Sequence, residues 1–258
     1  MNGLKTIAVA FAMFSRVPVP NCPWEKESLR YALCAFPLVG VLIGLVCWGW
    51  SLLCVWLAIP SLLRAAGWSV LPVLLSGGIH LDGFCDTWDA LSGHGSPEKA
   101  QEILKDPHVG AFAVIHLCLY FILTLSLWTA LPSYPPLVVL LSFCLSRSLS
   151  GLAVATFPLA KNSGLAFTFA QVADRKKVAV FLTILSGALI LLLALAGQGV
   201  EGWLAAAAAL AVFAYYHRMA RVRFGGLSGD LAGWFLQTAE LWMLAALELA
   251  ALLRGGIL

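Results

Sequence analysis

Long apolar stretches separated by short polar ones run through nearly the whole chain. A helix that crosses a bilayer needs about 20 mostly apolar residues. Seven stretches approach or exceed that length: Tyr31–Ile59, Trp68–Leu91, Val109–Leu131, Leu137–Phe157, Val178–Ala196, Trp203–His217 with an extension to about Met219, and Leu231–Leu253. Leu4–Phe14 is apolar but too short to cross. It runs into Arg16-Val17-Pro18-Val19-Pro20 without a small-residue cleavage site, so it reads as a retained re-entrant or interfacial helix. The pattern predicts an all-α, polytopic membrane bundle of about seven transmembrane helices plus that short N-terminal helix. Residues 1–258 read as a single membrane-embedded domain, with no internal repeat and no soluble domain.

Composition supports this. Of 258 residues 61% are apolar and 11% charged, with a mean hydropathy of +0.90. An ordinary soluble domain is about 45–50% apolar and about 25% charged. A soluble enzyme, a disordered chain and a nucleic-acid binder are thereby disfavoured. The placement of charge matters more than its net value of +3. With the N-terminus inside the cell, the inner segments hold thirteen of the sixteen basic residues, the outer side holds Arg64 and Arg254, and Arg147 lies within a span. That asymmetry sets the orientation and puts the longer polar segments, 92–107 and 159–177, in the cytoplasm. The seven cysteines include Cys22, contain no CxxC and mostly lie in apolar runs, which suits reduced thiols packed as small hydrophobes.

The second span is unusual because its C-terminal half carries acids. Gly77-Gly78-Ile79-His80-Leu81-Asp82-Gly83-Phe84-Cys85-Asp86-Thr87-Trp88-Asp89 spaces Asp82, Asp86 and Asp89 at i, i+4 and i+7, within about 60° on one helix face. A solvated helix end is the plain account of one such aspartate. Three on one stripe, flanked by glycines in an apolar span and without a neighbouring Lys or Arg, point to a bound cation. All-oxygen ligation suits Mg²⁺ or Mn²⁺ and hence a phosphate-bearing substrate. A proton or cation pathway would use the same residues. Gly78 and Gly83 allow close approach of backbone or substrate, and His80 stands two residues before Asp82.

Other candidates fall on the same predicted face. Gly225-Gly226-Leu227-Ser228-Gly229-Asp230 is a glycine-rich turn opening the last span, where Gly226, Ser228 and the helix start could hold phosphate. A flexible loop with Asp230 as a cap is the alternative. Lys105 could contact a phosphate, while Asp106 before Pro107 suits helix capping. Arg147 is either paired, with Glu240 as a candidate partner, or a phosphate clamp facing the bundle interior. His94, His108, His116 and His217 suit structural or interfacial roles, and Arg218, Arg221 and Arg223 suit orientation of the helix. Trp88 and Trp234 could line a cavity mouth, although interfacial anchoring is the commoner role. No nucleophile–base pair stands out, so a covalent intermediate is not indicated.

Read together, these blocks resemble a known family. Gly77–Asp89 is similar to the GGxHxDGxxDTxD segment of cobalamin synthases, the adenosylcobinamide-GDP ribazoletransferases. The resemblance continues in Ser15–Pro20, Phe36–Gly40, Glu102–Gly110, and Gly225–Asp230 with Glu240, in the family's order. Trp88 stands where a small residue is usual and Ser228 where threonine is common. The resemblance implies a multi-pass protein of the bacterial inner membrane that depends on Mg²⁺. It implies that adenosylcobinamide-GDP and α-ribazole, or its 5′-phosphate, give adenosylcobalamin or its phosphate with release of GMP. Asp82, Asp86, Asp89 and Asp230 would hold the metal, Asp89 or His80 would take the hydroxyl proton, and Lys105 and Arg147 would hold phosphate oxygens. The bilayer is an implied partner, and other late enzymes of the pathway or further copies of the chain are conceivable ones. Two other classes use similar parts. CDP-alcohol phosphotransferases carry an alanine-arginine pair after the first DG, where this chain has Asp86-Thr87. An ion-coupled transporter would be expected to place its acids at the midplane and to show an inverted repeat.

Overall fold

The computed structural model describes residues 2–20, 25–93, 95–130, 136–160, 165–197 and 200–255. Cys22, His94 and Lys161 lie outside the described residues. Twelve helices follow one another: α1 (Asn2–Phe14), α2 (Lys26–Leu29), α3 (Ala32–Trp56), α4 (Ser61–Ser76), α5 (Ile79–Ser92), α6 (Pro97–Ile103), α7 (Ala111–Ala130), α8 (Pro136–Thr156), α9 (Leu165–Val172), α10 (Arg175–Ala196), α11 (Glu201–Phe224) and α12 (Gly229–Gly255). Among the described residues the one β-type pairing is an isolated bridge between Leu159 and Leu227.

The bundle is built around α8, whose residues from Leu141 to Gly151 are all buried. Small side chains let its neighbours come close. A Cβ added to Gly40 of α3 would lie 2.5 Å from the Phe143 carbonyl oxygen, and one at Gly44 would lie 2.8 Å from the Leu140 Cα. Gly40 and Gly44 thus form a small-xxx-small contact of the kind that holds membrane helices together without a hydrophobic driving force. The outward faces of α7 and α10 expose Ile122, Leu123, Ile184 and Leu195, side chains suited to acyl chains.

α3, α7, α8, α10 and α12 are each long and apolar enough to cross a membrane, and α4 with α5 makes a sixth candidate that is bent by 96°. By length and composition the expected count of seven is therefore not confirmed, while the all-helical multi-pass architecture is. The sixth predicted stretch forms α11, which is long enough, but Tyr215, Tyr216, His217 and Arg218 leave it below the hydropathy of a spanning helix. α1 is too short to cross. It buries Val9, Ala10 and Met13 and leaves Leu4 exposed, as expected of an interfacial or re-entrant element. The described cysteines are all free.

The bend in the second span comes from its glycine pair. Gly77 and Gly78 have φ of 69° and 80°, the left-handed region that side chains resist. Their amides return to Leu74 and Val73 and close off α4. α5 then leaves at a steep angle and packs against α12 instead of continuing the crossing. Gln101 of α6 bonds the Phe224 carbonyl at 2.7 Å, and the Arg223 guanidinium reaches the Leu91 carbonyl at 3.4 Å. These bonds draw the ends of α5, α6 and α11 together at the start of α12.

Candidate active site

Two glycines bring the acids together. A Cβ on Gly83 of α5 would lie 2.6 Å from the Asp230 carbonyl oxygen, and one on Gly233 of α12 would lie 2.7 Å from the His80 carbonyl oxygen. The two helices therefore cross with their backbones in contact, which sets Asp230 beside the aspartate stripe. The close approach expected of Gly83 is to backbone, and Gly83 itself is buried.

Beside this crossing lies a cavity of about 410 Å³ whose wall includes His80, Asp82, Lys105, Ser228 and Asp230. Five residues singled out from three separate segments thus share one chamber. Asp82 is also in the wall of a second, more open groove of about 560 Å³, lined by Gly78, Leu81, Cys85 and Leu117 among others. Asp86 is half-buried on the same helix and feels the negative charge of Asp82, Asp230 and Asp89. His80 is 6% exposed, and its Nε2 has no hydrogen-bond partner. An orphaned buried polar atom in a cavity wall is costly without a ligand or water to meet it.

The remaining candidates are placed elsewhere. Asp89 accepts hydrogen bonds from the Gly110 amide at 2.7 Å and the Ala113 amide at 2.8 Å. It caps α7 from a distance, the task expected of Asp106. Asp106 instead forms a local turn with the His108 amide and ring. That amide bond, followed by the ring contact, holds the Asp106 carboxyl below its ordinary value. Arg147 does not line the cavity. It is 1% exposed and pairs with Glu240 across α8 and α12, with further bonds to the Phe143 carbonyl and the Ser146 hydroxyl. Gly226 also lies outside the cavity wall, packed on the backbone of Leu159 and Ala160. Its amide bonds the Ala220 carbonyl and the Leu227 amide bonds the Pro158 carbonyl, so these two N–H groups are turned to protein and not to a phosphate. The Ser228 hydroxyl oxygen accepts a hydrogen bond from the Leu231 amide as the cap of α12. Trp88 stacks on His116 at 3.9 Å, and Trp234 is buried against it.

Some residues of the site carried no clear signal in the sequence. Gly233 is one of many glycines in apolar runs. Arg16 lies against the Gly77 turn, its amide bonded to the Leu75 carbonyl, and in the sequence it reads as one more inner-loop cation. Phe14, Phe36 and Phe169 also line the cavity but belong to three separate segments.

Among the described residues no three His, Cys, Asp or Glu side chains stand close enough to hold a metal by themselves. The donor set nonetheless suits magnesium, which usually takes one or two carboxylates and fills its remaining positions with substrate phosphates and water. Asp82 and Asp230 in one wall meet that pattern better than a closed cage of carboxylates would.

Residues 6–248 match the family described as cobalamin-5-phosphate synthase. The chain belongs to that family. It is 42% identical over 243 residues to an adenosylcobinamide-GDP ribazoletransferase of Lachnoclostridium phytofermentans, covering 93% of this chain and 92% of that protein. It is 36% identical to the ribazoletransferase of Ectopseudomonas mendocina, with 94% and 98% covered, and 32% identical to that of Desulfitobacterium hafniense, with 95% and 96% covered. None of these relatives is described as a phospholipid synthase or a transporter. No solved structure matches the chain. The matched span of this cobalamin-5-phosphate synthase family member takes in every residue of the cavity lining.

Proposed function

We propose that the chain is an adenosylcobinamide-GDP ribazoletransferase that joins adenosylcobinamide-GDP to α-ribazole or its 5′-phosphate and releases GMP. One observation carries the reading: Asp82 and Asp230, from helices far apart in the sequence, share a cavity wall with His80 and Lys105. In the reaction a ribose hydroxyl attacks the phosphorus on the cobinamide side. A P–O bond forms, the bond to GMP breaks and the hydroxyl proton is lost. Such transfers need in-line placement and charge neutralisation more than covalent help from the protein.

Asp82 and Asp230 would hold Mg²⁺ together with the diphosphate, with Asp86 in support. The ion would offset charge on the transferring phosphoryl and on the departing GMP. Lys105, exposed at the mouth, would hold a phosphate oxygen. Of the two bases considered, His80 is favoured, because both Asp89 oxygens already accept backbone amides whereas the His80 Nε2 has no partner. The excess of basic residues on one side supports an inner-membrane protein with its N-terminus and this site in the cytoplasm.

The test uses the full-length protein in lipid nanodiscs with Mg²⁺, adenosylcobinamide-GDP and α-ribazole. GMP release should appear and should fall about a hundredfold or more in Asp82→Asn and in Asp230→Asn, with elution and melting unchanged. Near-normal release in both variants would remove the two carboxylates from the chemistry.

A further inference from the structure

The cavity lining mixes two chemistries. It holds acids, His80 and Lys105, and beside them apolar residues that include aromatic rings from three elements. Phe14 of α1 lies with its ring centroid 4.1 Å from Phe36 of α3 and 5.5 Å from Phe169 of α9, and Phe36 is 5.8 Å from the His80 ring. Phe36 and Phe169 are each 3% exposed. His80 is in the cavity lining, and its Nε2 is buried without a hydrogen-bond partner.

Aromatic rings, a buried imidazole nitrogen and a nearby carboxylate pair fit a flat apolar ring joined to a hydroxylated sugar. Size separates the two substrates. About 410 Å³ is near the lower end of the 300–1,000 Å³ typical of sites for small organic ligands. It suits a nucleoside. A corrin macrocycle with its upper adenosyl group and a guanosine diphosphate is several times larger. The groove on the other side of Asp82 is open, so a large ligand can present its diphosphate there while its bulk stays outside.

We infer that the narrower cavity is the acceptor site, in which Phe14, Phe36 and Phe169 flank the base of an aromatic nucleoside and the ribose lies toward His80 and the carboxylates, while the corrinoid donor reaches Asp82 from the open groove. The assignment rests on the transferase reading for its choice of two substrates. It further requires that acceptor and donor affinities depend on different residues. Stacking on an aromatic side chain is worth roughly five- to 150-fold in affinity per base.

Equilibrium dialysis of the full-length protein in nanodiscs tests this with radiolabelled α-ribazole and, separately, adenosylcobinamide-GDP. Phe169→Leu keeps an apolar side chain of similar size and removes the ring, and Phe169→Tyr restores the ring. Wild type should bind both ligands. Phe169→Leu should bind α-ribazole about tenfold more weakly, Phe169→Tyr should recover to within about threefold, and donor affinity should stay within about twofold throughout. Phe14→Leu should repeat the pattern, so one misfolded variant does not decide the outcome. Equal α-ribazole binding by wild type and both leucine variants would overturn the assignment. So would a loss of donor affinity with the acceptor unaffected, or no α-ribazole binding by wild type. If the acceptor pattern holds but mixing the substrates yields no GMP, the site stands and the transferase reading fails.

Discussion

Three aspartates on one helical stripe reach different surroundings within two turns. Asp82 opens into the cavity and the groove, Asp86 is half-buried, and Asp89 holds the first amides of α7. Asp89→Ala should therefore act on stability. Loss of a helix cap costs about 0.5–2 kcal/mol, and each kcal/mol lowers melting by about 2–4 °C in a chain of this size. Differential scanning fluorimetry of the nanodisc protein should register the drop, and Asp89→Asn, which keeps one acceptor oxygen, should show less. An unchanged melting temperature with lost GMP release would return Asp89 to the chemistry. The spacing i, i+4, i+7 made the stripe and its shared face legible in the sequence. It gave no access to the far partner of Asp89, because a cap supplied from another helix depends on where α7 begins relative to α5. For the same reason Asp106, the acid nearest the start of α7 in the sequence, looked like its cap.

Between elements, close backbone crossings and one buried ion pair decide the arrangement. Gly83 and Gly233 weld α5 to α12, and the Arg147–Glu240 pair ties α8 to α12 below them. Glu240 was legible as a partner because both residues are lone charges in apolar spans, and such charges seek each other. The helix break was less legible. Gly77-Gly78 announced a flexible point, but the 96° turn also needs α12 to receive α5. Arg147→Ala should leave the Glu240 carboxylate unpaired inside the bundle, at a cost of about 3–5 kcal/mol. Replacing both, Arg147→Met with Glu240→Leu, should recover most of that, since well-packed apolar substitutes for a buried pair are often neutral. Thermal melts of the single and double variants measure the difference. GMP release measured alongside separates structure from chemistry: a stable double variant that retains activity shows that Arg147 holds the bundle, and a stable but inactive one would make it a ligand of phosphate.

At the scale of the whole molecule, the unsettled element is α11. Composition leaves it short of a spanning helix, yet it packs along α12 and joins it through the tight turn at Gly225 and Gly226. At the opposite ends Glu201 of α11 pairs with Arg254 of α12. Two antiparallel helices tied at both ends have the same depth, so if α12 crosses the bilayer, α11 crosses beside it. Its alanines then suit a helix that faces protein as much as lipid, because small side chains permit close packing, and a hydropathy average taken along one helix cannot register a neighbour. The crossing predicts sidedness. In a background freed of the native cysteines, Val200→Cys and Arg223→Cys mark the two ends of α11. A membrane-impermeant maleimide should label Val200→Cys only in intact spheroplasts and Arg223→Cys only in inverted vesicles, with the inner end on the same side as His108→Cys near the start of α7. Labelling of both ends from one side would mean that α11 lies along the surface. The basic residues Arg218, Arg221 and Arg223 would then no longer mark the inner end of a crossing helix, and the orientation would rest on the remaining inner segments alone.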